Sequence, residues 1–177
     1  AFAEIVTDEA GLKGLPADVC EAARAAAEKD GQAGWKFTLH MPSYLPVMQY
    51  AESRRLREAL YRAYATRAAE FHDLGGKPEW DNMPLIRRLL ELRAEEAGHL
   101  GYGNFAEVSL VPKMAESPAD VLAFLRELAV KSKPFAERDM AELRDFAVSQ
   151  GLTLLEPWDI GWASEKLKQA RYSFSDE

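Results

Sequence analysis

From Leu56 onward, apolar residues return three and four positions apart, and that spacing commits most of the chain to amphipathic helices. Leu56, Leu60, Ala63, Tyr64 and Phe71 fall close to one stripe, and Leu85, Ile86, Leu89, Leu92 and Leu100 form another behind Asn82 as N-cap. Both stretches read as packing helices. Ser117-Pro118-Ala119-Asp120 joins an N-cap to a first-turn Pro and an acid three residues on. It launches Val121, Leu122, Leu125, Leu128 and Ala129 along one face. Pro134 removes an amide and crowds the preceding turn, so a kink or break is expected there before the helix resumes through Met140, Leu143 and Phe146 to end at Gly151. A last element begins at Pro157 and runs to about Tyr172.

The first third is less uniform. Pro16 and Asp18 open a helix of about 16–30 that Gly31 stops. Trp35-Lys36-Phe37-Thr38-Leu39-His40-Met41 then alternates apolar with polar residues, as a half-buried strand of about 35–41 does. A strand needs a neighbour. Ile5-Val6 and Val108 to Val111 are the candidates within the chain, and a partner outside it is a third. Pro42 ends the strand, and Ser43 to Met48 opens a short helical stretch. The fold class is therefore mainly α, a multi-helix segment with one short strand. Gly75-Gly76-Lys77-Pro78 marks the best boundary, dividing residues 1–75 from a helical part over 76–177. The chain begins with Ala, and Ser175-Asp176-Glu177 reads as the N-cap and first turn of a further helix. Both features suit a segment of something longer.

Composition excludes several classes. With 47% hydrophobic and 29% charged residues the 177-residue chain is neither disordered nor collagenous. No apolar run approaches the ~20 residues of a membrane span, and no signal-peptide pattern opens the chain, so a cytoplasmic protein without a membrane partner is expected. The single cysteine, Cys20, forbids an internal disulfide and reads as a small packed side chain. A net charge of −7 argues against a nucleic-acid partner.

Candidates for chemistry are few. The histidines are His40, His72 and His99. Glu96-Ala97-Gly98-His99 has the Glu-x-x-His spacing of di-iron bundles, but a site of that kind needs the motif twice with two more Glu, and here it stands once. His99 is better explained as a cation near a helix C-terminus. His72-Asp73 reads as a surface pair, and His40 lies on the polar side of the strand. Arg54, Arg55, Arg57, Arg62 and Arg67, with Tyr61 and Tyr64 between them, could meet phosphate or RNA. Such a run is more often a solvated helix face, here partly neutralised by Glu52, Glu58 and Glu70. Trp35, Trp80, Trp158 and Trp162 are scattered and favour packing over a stacking platform. There is no H-E-x-x-H, G-x-S-x-G, P-loop or G-x-G-x-x-G.

Longer stretches carry more. Thr38-Leu39-His40-Met41-Pro42-Ser43-Tyr44-Leu45-Pro46-Val47-Met48, then Leu56-Arg57-Glu58 and Tyr61-Arg62-Ala63-Tyr64-Ala65-Thr66-Arg67-Ala68, resemble the thimet oligopeptidase family of zinc metallopeptidases. Leu100-Gly101-Tyr102, Asn104-Phe105-Ala106, Lys113-Met114-Ala115-Glu116-Ser117-Pro118, Pro157-Trp158-Asp159-Ile160, Ser164-Glu165-Lys166 and Tyr172-Ser173 continue the resemblance in the family's order, over essentially all 177 residues.

The resemblance implies part of a two-lobed helical peptidase that hydrolyses short peptides in a deep channel. It also implies that this chain lies upstream of the H-E-x-x-H helix that holds zinc. No catalytic or metal-binding position of the family falls within it, so catalytic and metal-ligating residues here are none and substrate-binding residues are unknown. Zinc belongs to the parent enzyme and none to this segment, which is expected to be inactive alone, with short peptides and the remainder of the same polypeptide as partners. On this reading the strand and the helices after it join the lobes and line part of the channel, and the helices from Asn82 onward restrict access. The alternative is a naturally short helical binding module without catalysis. An RNA-binding helical protein using the arginine run is a third reading, against the net charge.

Overall fold

The computed structural model describes residues 2–71 and 77–173. Among them are seven α-helices and a two-stranded antiparallel sheet, so the fold is mainly α. The glycine boundary at Gly75-Gly76, the pair His72-Asp73 and the helix start at Ser175-Asp176-Glu177 lie outside the described residues.

Strand β1 (Ala3–Val6) pairs with β2 (Trp35–Thr38), Val6 opposite Trp35 and Ala3 opposite Thr38. Of the candidate partners, Ile5-Val6 is therefore the one used, while Val108 lies in a helix. The strand stops at Thr38 rather than Met41. The Ser43 hydroxyl accepts the Thr38 amide at 2.9 Å, His40 becomes a helix N-cap and Pro42 occupies the first helical turn. Local capping thus outcompetes three more ladder positions. Gly34 makes the approach of the two strands possible. Its φ is +104°, and a Cβ there would lie 2.3 Å from the Val6 carbonyl oxygen.

Helix α1 (Ala17–Lys29) lays Ala23 and Ala27 inward, and its small side chains let it come close to β2. Helix α2 (Met41–Tyr50) buries Tyr44, Val47, Met48 and Tyr50. Helix α3 (Arg54–Ala65), capped by the Ser53 hydroxyl on the Leu56 amide, buries Leu56, Arg57, Leu60 and Ala63. Phe71 lies beyond its end and is exposed. Ala23, Tyr44, Val47, Met48, Leu56 and Leu60 form one core with Val6, Phe37, Ala51 and Trp158. The element at Pro157 begins as a 3-10 turn (Pro157–Asp159) and continues as α7 (Ile160–Tyr172), packed on α2. Gly161 permits that contact, since a Cβ there would meet the Met48 carbonyl oxygen at 3.1 Å.

Helix α4 (Met83–His99) starts after Asn82, but the side chain that caps it is Asp81, which accepts the Met83 amide at 2.8 Å. Short α5 (Phe105–Leu110) follows, capped by Asn104, and packs on α4. Helix α6 (Pro118–Ser149) begins as expected, with the Ser117 hydroxyl accepting the Asp120 amide at 3.1 Å. Pro134 neither breaks nor ends it: α6 runs 32 residues through that position. The carbonyl four residues back belongs to exposed Val130, where water can take the bond that proline cannot donate.

The residues fall into two compact units. Among the described residues, one comprises Phe2 to Arg67, Phe71 and Ala141 to Ser173; the other comprises Ala68–Glu70 and Lys77–Met140. The first holds the core just described, together with Leu143 and Ala147 of α6. In the second, the apolar stripes of α4 and α6 do not pack. Leu85, Ile86, Leu89, Leu92 and Leu100 are exposed, as are Leu122, Leu125 and Leu128. The pattern that predicts packing helices is present, but these side chains stay exposed among the described residues.

Candidate functional site

The residues with the most demanding surroundings converge where α3 meets the Pro157 turn. Arg57 lies on the apolar stripe of α3, one residue after Leu56 and three before Leu60, so the helix carries its guanidinium into the core. The side chain is 1% exposed. Charge buried to that extent needs a partner, and Asp159, itself fully buried, supplies it.

Arg57 Nη2 donates to Asp159 Oδ1 at 2.7 Å. Its Nε donates to the Trp158 carbonyl at 3.2 Å and its Nη1 to the Ala51 carbonyl at 2.5 Å. Arg54, one turn earlier on α3, approaches from the solvent side. Its Nε donates to both carboxylate oxygens and its Nη2 to Asp159 Oδ2 at 2.7 Å, while Nη2 also reaches the Leu154 carbonyl at 2.9 Å. The Glu156 amide donates to Asp159 Oδ2 at 3.1 Å. Burial alone would push the Asp159 carboxyl up. The hydrogen bonds from Arg54, Arg57 and Glu156, with the charge of Arg54, more than offset that and hold it below the usual carboxylate range. Arg54 in turn is raised, chiefly by its hydrogen bonds to Asp159.

Aromatic rings close the cluster. The Arg57 guanidinium stands 4.8 Å from the centre of the Trp162 ring, and Arg62 stands 4.8 Å from that of Trp158. Tyr61 meets Trp158 edge to face, and Lys166 pairs with Glu52 at 2.8 Å. Both indole Nε1 atoms are buried without a hydrogen-bond partner among the described residues, so these tryptophans act through their faces. Chemically the cluster is a clamp. Both oxygens of Asp159 are engaged and its charge is matched, so it ties α3, the Leu154–Asp159 loop and α7 together rather than moving protons.

The remaining sequence candidates stay apart. His40 is exposed at the start of α2, and Glu96 and His99 are exposed on the last turn of α4, with His99 its final residue. Arg55 pairs with Glu4 at 2.9 Å, Arg62 with Glu58 at 2.8 Å, and Arg67 lies over Tyr64. The arginine run is thus not uniformly a solvated face: Arg57 is core, Arg54 is half-buried, and both serve Asp159. The signal that could have found this was Arg57 standing on the apolar stripe. Trp158 and Trp162 are buried, Trp35 is half-buried and Trp80 is exposed. Cys20 is half-buried, and burial first, then Asp18, pushes its thiol up, which makes it a poor nucleophile. Among the described residues no group of three or more His, Cys, Asp or Glu could hold a metal ion, so the residues present do not fit a zinc site. Nor is any described helix long and apolar enough to cross a membrane.

The buried clamp is built from Leu56-Arg57-Glu58 and Pro157-Trp158-Asp159, two of the stretches on which the family resemblance rests, and comparison with known proteins agrees. Residues 47–177 match peptidase family M3. The chain is 48% identical to oligopeptidase A of Salmonella typhimurium over 177 residues, which is 99% of this chain and 26% of that protein. It is 48% identical to oligopeptidase A of Escherichia coli with the same coverage. The chloroplastic/mitochondrial organellar oligopeptidase A of Arabidopsis thaliana is 37% identical over 188 residues, 99% of this chain and 22% of that protein. The chain spans about a quarter of the length of these relatives. Matched along nearly its whole length, with the clamp inside the matched region, the chain belongs to peptidase family M3.

Proposed function

We propose that this chain is a scaffold and channel-wall segment of a longer, zinc-dependent oligopeptidase of the cytoplasm that hydrolyses short peptides. The observation that carries the reading is the 48% identity along the whole chain to enzymes named oligopeptidase A, of which it matches about a quarter. Zinc and the groups that activate water would come from parts of the parent protein that this sequence does not contain, and the segment is inactive alone. Its own contribution is geometric. The sheet and the clamped helices of the first unit give a rigid join between lobes, and the helices from Asn82 onward narrow the way to the catalytic centre. A wall of that kind admits flexible peptides and rejects folded proteins.

The test is a chimera in which this chain replaces its matching segment in Escherichia coli oligopeptidase A. Cleavage of short peptides by the chimera, abolished by a zinc chelator and absent from the isolated 177-residue chain, is the expected result. A chimera that folds yet cleaves nothing would remove the scaffold role, and peptide cleavage by the isolated chain would make it an enzyme in its own right.

A further inference from the structure

The two-stranded sheet of the first unit has an edge that nothing among the described residues completes. In an antiparallel pair, residues that exchange backbone hydrogen bonds with the partner strand alternate with residues that turn amide and carbonyl away from it. The Thr38 amide is spent on the Ser43 hydroxyl at 2.9 Å, so Thr38 faces away from β1, and Ala3, opposite it in the register, faces away from β2. By alternation Glu4 and Val6 then bond to Phe37 and Trp35, while Ala3 and Ile5 direct two amides and two carbonyls outward. Those four groups have no hydrogen-bond partner among the described residues, and neither Ala3 nor Ile5 is buried. On β2 the amide of Thr38 is closed by Ser43; on β1 no described side chain does the same. The charges beside the edge are already matched, Glu4 by Arg55 and Lys36, across from Ile5, by Asp30. What the edge offers is therefore backbone rather than charge.

We propose that β1 binds a short extended peptide as a third, antiparallel strand, held by the backbone groups of Ala3 and Ile5, with a neutral or basic residue opposite Glu4. An unpaired edge is a template for a further strand, and main-chain bonds of this kind recognise peptides with little regard to sequence. A second copy of this chain fits worse. The register that uses all four groups sets Ala3 against the Ile5 of the other copy, and it brings the two Glu4 side chains directly opposite each other, where like charges repel. A free peptide need carry no acid there. The choice of a peptide as occupant rests on the reading of the chain as part of an oligopeptidase; the open edge does not.

The end-blocked peptide Thr-Val-Lys-Val-Thr, titrated into the isolated chain, tests this by NMR. Its two Val residues fall opposite Ile5 and Ala3, and its Lys opposite Glu4. With peptide at about ten times Kd, hydrogen exchange of the Ala3 and Ile5 amides is expected to slow about tenfold, while Glu4 and Val6, already in the ladder, change less. Methylating both Val amides of the peptide should abolish the effect; methylating its Lys amide, which faces away from β1, should not. Glu in place of that Lys should raise Kd several-fold. Ala3→Pro removes one outward amide at the first position of the strand, where proline is tolerated, and should also weaken binding. No slowing at Ala3 and Ile5, or equal binding by the two methylated peptides, would overturn the proposal. So would a chain that dimerises with both amides protected before peptide is added, since the occupant would then be a second copy. An Escherichia coli chimera in which both amides are protected without peptide would overturn it too, because the edge would then be closed by the enzyme itself. A chimera that cleaves nothing, beside an isolated chain that binds the peptide at this edge, would count against the peptidase reading alone.

Discussion

Arg57 and Asp159 are 102 residues apart in sequence, and their side chains meet at 2.7 Å in the core of the first unit. Removing either partner strands the other. Asp159→Asn keeps the shape but leaves the Arg57 charge buried and unmatched. Breaking a buried pair in this way costs about 3–5 kcal/mol. Urea unfolding should show that loss in the midpoint. A variant within about 1 kcal/mol of the parent would mean that the clamp contributes little net stability.

Acid should act on the same pair. The folded-state carboxyl of Asp159 lies below its ordinary value, so the unfolded chain takes up this proton first as pH falls. The stabilisation is fully present above about pH 4, near the unfolded pKa of roughly 3.9, and is lost as pH drops through the folded value. Urea midpoints measured from pH 7 to pH 3 should fall steeply only at the acid end, and the fall should be shallower in Asp159→Asn. An equally steep fall in that variant would assign the acid sensitivity elsewhere.

Gly34→Ala should be costly although the side chain gained is a single methyl. The residue holds φ +104°, and the new Cβ would stand 2.3 Å from the Val6 carbonyl oxygen, so β1 and β2 would have to separate. A loss of about 2 kcal/mol or more is expected, read as a lowered thermal midpoint. An unchanged midpoint would show that the close contact of β1 with β2 is not required.

Phe37 is fully buried in the core against α1 and α2. Phe37→Ala removes a large side chain from a site that cannot collapse easily and should cost about 3–5 kcal/mol. Leu125→Ala in the isolated chain should cost less than about 1 kcal/mol, because that leucine is half exposed. Comparable losses would contradict the division between a packed and an unpacked unit.

Cys20 should react slowly with thiol reagents at pH 8. Its thiol is pushed above its ordinary value by burial and by Asp18, which lowers the thiolate fraction. Labelling slower than that of free cysteine is expected, and Asp18→Asn should speed it modestly. Labelling at the rate of free cysteine would show the side chain to be open and unperturbed.

Local chemistry made most elements legible in advance. The Ser117 cap, the Gly31 and Gly151 stops, the alternation at Trp35 to Thr38 and the spacing of Leu56, Leu60 and Ala63 act within a few residues, so reading the letters finds them. Periodicity marks an apolar face but does not say what covers it, which is why α4 and α6 carried the same signal as α3 and yet stand exposed. Whether Pro134 breaks α6 likewise depends on whether the orphaned carbonyl has water, a tertiary matter, and the helix runs on through it. The sequence by itself determined a mainly helical chain of the M3 family. The place of Arg57 on the apolar stripe of α3 is local, but the tertiary structure alone decided what meets its charge there, because Asp159 returns from 102 residues away and no local pattern encodes an encounter at that range.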